Sequence, residues 1–175
     1  MSKVLVVVYS HTGTSRQLAA LLCRQQGWTL AEIVEERPRR GIVGYGQCLI
    51  DSVLRRRPAI RYSGPPPHEY DAVVLVSPIW AFQIASPMRS FIMHRPDRLP
   101  DVAVISVMGA SSALNALHEV SQMIGRTPIL HAAFTQREVE DGSCAQRLQS
   151  FGAAIAGAQD SKGPAPPGAL SPQAA

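Results

Sequence analysis

The sequence predicts an α/β fold: a doubly wound, three-layer parallel sheet of five strands. Short β-rich runs alternate with helix-like stretches along most of the chain, the pattern of successive strand–helix–strand units. The first run, Val4-Leu5-Val6-Val7-Val8, is apolar at every position, as befits a strand buried on both faces of a parallel sheet. A length of 175 residues with a hydrophobic fraction of 46% suits one domain around a single core.

Taken in order, residues 3–9 form the first strand and residues 14–26 the first helix, with Leu18, Leu21 and Leu22 at helical spacing. Residues 29–34 read as a short second strand. Residues 35–61 hold a loop marked by Pro38, Gly41, Gly44 and Gly46, then a candidate helix over residues 47–57 with Leu49, Ile50, Val53 and Leu54 inward. Gly64-Pro65-Pro66-Pro67 is a break. Residues 71–77 give the third strand, and residues 87–94 a helix with proline in its first turn. Residues 101–108 are a fourth buried strand, and residues 113–124 a helix closed by Gly125. Residues 128–135 supply the fifth strand and residues 143–158 the last helix. Residues 159–175 are rich in Pro, Gly, Ala and Ser, and are expected to be a disordered tail on a domain spanning residues 1–158.

Composition narrows the function. No apolar run approaches the ~20 residues needed to span a bilayer, and the first strand is too short for a signal-peptide core. A soluble, cytoplasmic protein without a membrane partner is expected. The three cysteines, Cys23, Cys48 and Cys144, form no CxxC pair and read as reduced, mostly buried thiols. The five histidines show no metal-ligand spacing. The net charge is +4, and seven arginines fall between Arg37 and Arg61. That segment lacks a nucleic-acid-binding motif and interleaved aromatics, so it reads as a solvated face or an attraction for anionic ligands, not a nucleic-acid surface.

In such sheets ligands sit beyond the carboxyl ends of the strands, at the point where strand order reverses. Three loops there carry the candidate site. After the first strand come Ser10, His11, Thr12, Gly13, Thr14 and Ser15, opening directly into a helix. Four hydroxyls in six residues, with a glycine and no carboxylate, suit a phosphate at a helix start. Helix capping is the competing reading, but one cap accounts for one hydroxyl. A P-loop and a GxGxxG motif are both absent, and no Asp or Glu precedes Glu32, which excludes an acidic pocket of receiver-domain type. After the third strand come Pro78, Ile79, Trp80, Ala81 and Phe82, then Ser86-Pro87. Trp80 and Phe82 are expected beyond the strand end, where a planar ring ligand would give them something to stack on. After the fourth strand come Met108, Gly109, Ala110 and Ser111, small residues that let backbone approach a ligand, or simply make a tight turn.

The first loop, the YDxVxxxSPxW segment from Tyr70 to Trp80 leading to Ser86-Pro87 and Phe91, and the small-residue loop together resemble bacterial flavodoxin-family proteins. The similarity runs from Lys3 to about Ala156, in the expected order. The resemblance implies strand order 2-1-3-4-5 and bound flavin mononucleotide (FMN). It implies that residues 10–15 hold the phosphate, residues 78–82 line the isoalloxazine with Trp80 as the main ring contact, and residues 108–111 offer backbone groups to the pyrimidine edge. It also allows a homodimer in which one subunit helps close the other's site. Two departures stand out: Ala110 replaces the second glycine often found there, and this chain is basic where the usual flavodoxin is acidic.

All three loops lack carboxylates, which favours an anionic reduced flavin and raises its potential. That points to an FMN-dependent oxidoreductase taking hydride from NAD(P)H and reducing a quinone or similar small acceptor, with the arginine segment attracting the donor's phosphates. No catalytic residue is assigned. The alternatives are an electron-transfer protein that docks to a redox partner, and a flavin-less binding domain of the same fold.

Overall fold

The continuously apolar first run forms β1 (Val4–Tyr9), and all six of its residues are buried. Its side chains alternate between two cores. Leu5, Val7 and Tyr9 face one, and Val4, Val6 and Val8 the other, as the two-residue period of a strand requires. The chain is described by a computed structural model over residues 2–36, 50, 54, 56–94, 99–108 and 113–162.

After β1 the chain runs through α1 (Thr14–Gln26), β2 (Thr29–Glu35), β3 (Ile60–Ser63), a 3-10 turn (Pro67–Glu69), β4 (Ala72–Trp80) and β5 (Gln83–Ile84). It continues through α2 (Ser86–Met93), β6 (Asp101–Met108), α3 (Ala113–Ile124), β7 (Leu130–Thr135), α4 (Gln136–Glu140) and α5 (Ala145–Asp160). The sheet order is β3-β2-β1-β4-β6-β7. Its five parallel members, β2-β1-β4-β6-β7, are the expected strands in the expected order. Helices α2 and α3 cover one face, burying Met88, Phe91, Ile92, Ala116 and Val120. Helices α1 and α5 cover the other, burying Leu18, Leu22, Leu148, Phe151 and Ile155 around Phe134. Gly152 lets α5 approach α1 closely, since a Cβ there would fall 2.5 Å from the Gln26 side chain.

Three features depart from the expected pattern. A short edge strand, β3, pairs antiparallel with β2, in a stretch for which no strand was expected. β4 runs three residues past Ser77, because β5 folds back on it with Ile79 opposite Ile84 and Trp80 opposite Gln83. The two-residue turn between them, Ala81 and Phe82, has φ of 46° and 64°. Two positive φ values are the pattern of a type I′ hairpin turn, normally built from Asn and Gly, so the sequence carried no signal for it. The candidate helix over residues 47–57 lies outside the described residues apart from four positions, and of those Ile50 and Leu54 are 55% and 56% exposed where an inward face was expected. The last helix extends to Asp160, and the proposed tail from residue 163 onward lies outside the described residues.

The short helix α4 follows from a local motif. Thr135 and Glu138 form a capping box: the Thr135 Oγ1 accepts from the Glu138 amide at 3.2 Å, and Glu138 Oε2 accepts from the Thr135 amide at 2.7 Å. That backbone donor, with the Thr135 hydroxyl and Arg147, holds the Glu138 carboxyl below its ordinary value. A lowered acid contributes stability above its unfolded value and loses it as pH falls through the folded one. Thr135→Ala is therefore expected to cost about 1 kcal/mol near neutral pH. The gap in thermal midpoint between wild type and variant should narrow from neutral to strongly acidic pH, as Glu138 protonates in both. An equal gap at both pH values would contradict the account.

Among the described residues no helix is long and apolar enough to cross a membrane, and no cluster of three or more His, Cys, Asp or Glu could hold a metal ion. Cys23 and Cys144 are free thiols. Burial pushes Cys23 up to about 11 and raises Cys144 as well, so both are protonated and weakly nucleophilic at neutral pH. Cys48 lies outside the described residues.

Candidate functional site

The parallel register aligns the carboxyl ends of β1, β4 and β6. Val8 lies opposite Val76, and Pro78 opposite Val107. The first loop leaves this edge at Ser10 and enters α1 through Gly13, the N-cap, at φ 99° and ψ −20°. A glycine has no side chain with which to cap, so the helix start is uncapped. The Ser10 Oγ accepts from the Gly13 amide at 3.1 Å, and the Thr12 and Thr14 hydroxyls lie 3.4 Å apart. The hydroxyl that helix capping would consume is therefore not consumed there. The first turn presents its amides and the positive end of the helix dipole toward the loop, a ready anion site. Ser15 is buried, and Thr12 is exposed.

A cavity of about 450 Å³ lies between this loop and the carboxyl end of β2, taking in Ser10, His11, Thr12, Gly13, Glu32 and Glu35. The loops themselves stay free of carboxylates, but folding brings glutamates to their edges. Each is engaged. Glu32 accepts from the Nε of Arg16 at 2.6 Å and also pairs with its Nη2. Glu35, buried, accepts from the Tyr9 hydroxyl at 2.6 Å. Glu119 on α3 is paired with Arg89 on α2. These groups, together with Tyr9, Gln83 and Ile84, were not singled out in the sequence. Glu32 and Glu35 had a usable signal, since both stand near the carboxyl end of a parallel strand, where ligands gather.

The second loop differs from its expected form. Pro78, Ile79 and Trp80 belong to β4, and only Ala81 and Phe82 form a turn. Trp80 is 6% exposed. It sits edge-on to Tyr9 at 5.8 Å and edge-on to His11 at 5.7 Å between ring centroids. Because the hairpin carries strand pairing past Ser77, Trp80 is packed into the core where a position beyond the strand end was expected. The exposed aromatic at the turn is Phe82, at 55%. His11, half-buried, bridges the first and second loops through its Trp80 contact. From the third loop, Met108 ends β6, half-buried opposite Thr135. Gly109, Ala110 and Ser111 lie outside the described residues.

A flavoprotein from Lactobacillus acidophilus, solved in complex with FMN, superposes with a TM-score of 0.68 at 17% identity, over 82% of this chain and 99% of that one. The chain has a flavodoxin-like fold. A flavodoxin described as WrbA-like, from Agrobacterium tumefaciens, aligns over 92% of this chain and 99% of its own, with a TM-score of 0.58 at 14% identity. The flavodoxin of Megasphaera elsdenii, in its two-electron reduced form, gives 0.53 at 17% identity over 87% and 98%. No family model and no curated protein matches the sequence. The carboxyl ends of β1, β4 and β6 share one edge of the sheet, where ligands gather in folds of this kind, and the uncapped helix start lies there.

Proposed function

We propose that this chain binds FMN at the carboxyl edge of its sheet and works as a flavin-dependent oxidoreductase. The observation that carries the reading is the start of α1, where a left-handed Gly13 leaves the first turn uncapped among the hydroxyls of Ser10, Thr12 and Thr14. These residues fit a phosphate: the Thr12 and Thr14 hydroxyls stand 3.4 Å apart beside a helix start whose dipole favours an anion, and no carboxylate lies in the loop. Arg16 keeps the neighbouring Glu32 neutralised. Phe82 would meet the ring system, while Trp80, braced by Tyr9 and His11, forms a water-excluding floor. FMN, when bound, supplies the one- and two-electron chemistry, and the protein sets its orientation and field.

The charge pattern favours an enzyme over a carrier with a very low potential. Glu32 and Glu119 are each offset by an arginine, and Glu35 is held by a tyrosine hydroxyl. A ring that gains negative charge on reduction meets little repulsion there. The finer reading is reduction of a quinone or similar small acceptor with NAD(P)H as donor. Titration of the apo protein with FMN, followed by flavin fluorescence, tests the first level; absence of saturable binding at micromolar FMN would refute it. A redox titration of the loaded protein tests the second: full reduction at an unusually low potential, with no NAD(P)H oxidation in the presence of a quinone, would make this an electron carrier.

A further inference from the structure

Arg89 and Glu119 are 3% and 8% exposed and join α2 to α3. Apart from the bond between them, their side-chain hydrogen bonds go to the hairpin. Glu119 Oε2 accepts from the Ile84 amide at 3.0 Å, and its Oε1 accepts from the Arg89 Nε at 2.6 Å. The Arg89 Nη2 donates to the Gln83 side chain at 3.0 Å and to the Ile84 carbonyl at 3.3 Å. Both residues of β5 are thus held by one buried ion pair, and its acid is carried by the helix that follows the third loop.

Stability gives a poor account of this pair. Desolvating two charges offsets most of their attraction, and apolar residues of similar volume often serve as well or better. The Arg89 Nη1 adds to the cost, being buried with no hydrogen-bond partner among the described residues. What the pair does supply is geometry. The turn it backs holds Ala81 and Phe82 at positive φ, a conformation that residues with a Cβ keep only when their surroundings enforce it.

We propose that the Arg89–Glu119 pair is a positioning brace that locks the strained hairpin so that Phe82 is presented to the flavin ring. The proposal rests on the FMN reading above. The brace acts through Phe82 and touches no ligand itself, so its loss should be felt by the ring and not by the phosphate.

The test compares wild type, Glu119→Gln and the double variant Arg89→Met with Glu119→Leu, measuring affinity for FMN and for riboflavin, visible circular dichroism of the bound flavin, and thermal midpoint. The double variant is expected to melt near wild type, the removal of two buried charges offsetting the acceptor lost by the Ile84 amide, yet to bind both flavins about tenfold more weakly with an altered dichroism band. Glu119→Gln keeps an acceptor for the Ile84 amide but leaves the Arg89 charge unpaired. It should melt below wild type while its flavin affinities fall in the same direction, and it gives a second reading of the brace independent of the double variant. Affinities for both flavins within about twofold of wild type, with an unchanged band, would overturn the brace while leaving the FMN site standing. A wild type that binds neither flavin would overturn the FMN reading itself, and the brace with it.

Discussion

Replacing Gly13 with alanine is expected to weaken FMN binding by about a hundredfold while leaving riboflavin affinity within about threefold of wild type. Gly13 sits at φ 99°, and a Cβ added there would meet nothing within 4 Å. The penalty is therefore one of backbone conformation, not of crowding. An L-residue in that region is disfavoured by about 1–2 kcal/mol, and the loop relieves this by rotating away from positive φ. Rotation turns the peptide that leads into α1 and moves the first-turn amides off the position where a phosphate would sit. Hydrogen bonds to a charged group are worth about 1.5–3 kcal/mol each, so disturbing two accounts for the factor expected. Riboflavin shares the ring and lacks the phosphate, so it isolates the effect. The measurement is a pair of fluorescence titrations on each protein, with a thermal melt to show that the variant is folded. An equal loss for both ligands would place the phosphate elsewhere, and no loss for either would remove the loop from the site.

The parallel core was legible because its signal is local and redundant. A run such as Val4-Leu5-Val6-Val7-Val8 has one stable environment, between two helical layers, and Thr14–Gln26 shows its inward leucines without help from distant contacts. The place of the first loop, between β1 and the start of α1, was legible for the same reason. What the sequence concealed depends on partners far along the chain. Trp80 looked like an exposed platform because nothing in Ser77-Pro78-Ile79-Trp80 announces that Gln83 and Ile84 will pair back onto it. A turn of Ala81-Phe82 contradicts the usual chemistry of a type I′ hairpin and is held only by tertiary contacts. Glu119 shows the same limit. Its neighbours Ala116 and Val120 mark a buried helix face, and an acid on that face signals a buried partner, but Arg89 is 30 residues away in sequence.

That concealed hairpin yields the second large effect, in which stability and binding move in opposite directions. Substituting Ala81→Asn together with Phe82→Gly installs the pair that a type I′ turn prefers. Residues held in the left-handed region cost about 1–3 kcal/mol each. Relieving two of them is expected to stabilise the apo protein by about 2–4 kcal/mol, or about 5–10 °C in thermal midpoint for a chain of this size. The same change deletes the one aromatic side chain exposed at the turn, Phe82. Loss of an aromatic contact of about 1–1.5 kcal/mol should weaken FMN and riboflavin alike, by about tenfold. Ala81→Asn alone separates the two effects, because asparagine tolerates positive φ and Phe82 is kept: it should stabilise with flavin affinity unchanged. A Phe82→Gly variant that gains stability and keeps full affinity for both flavins would mean that the ring rests on another part of the edge. The strain at the turn would then need a different explanation. A loss shared by FMN and riboflavin, set beside the FMN-only loss expected at Gly13, would resolve the candidate site into a phosphate end at α1 and a ring end at the hairpin.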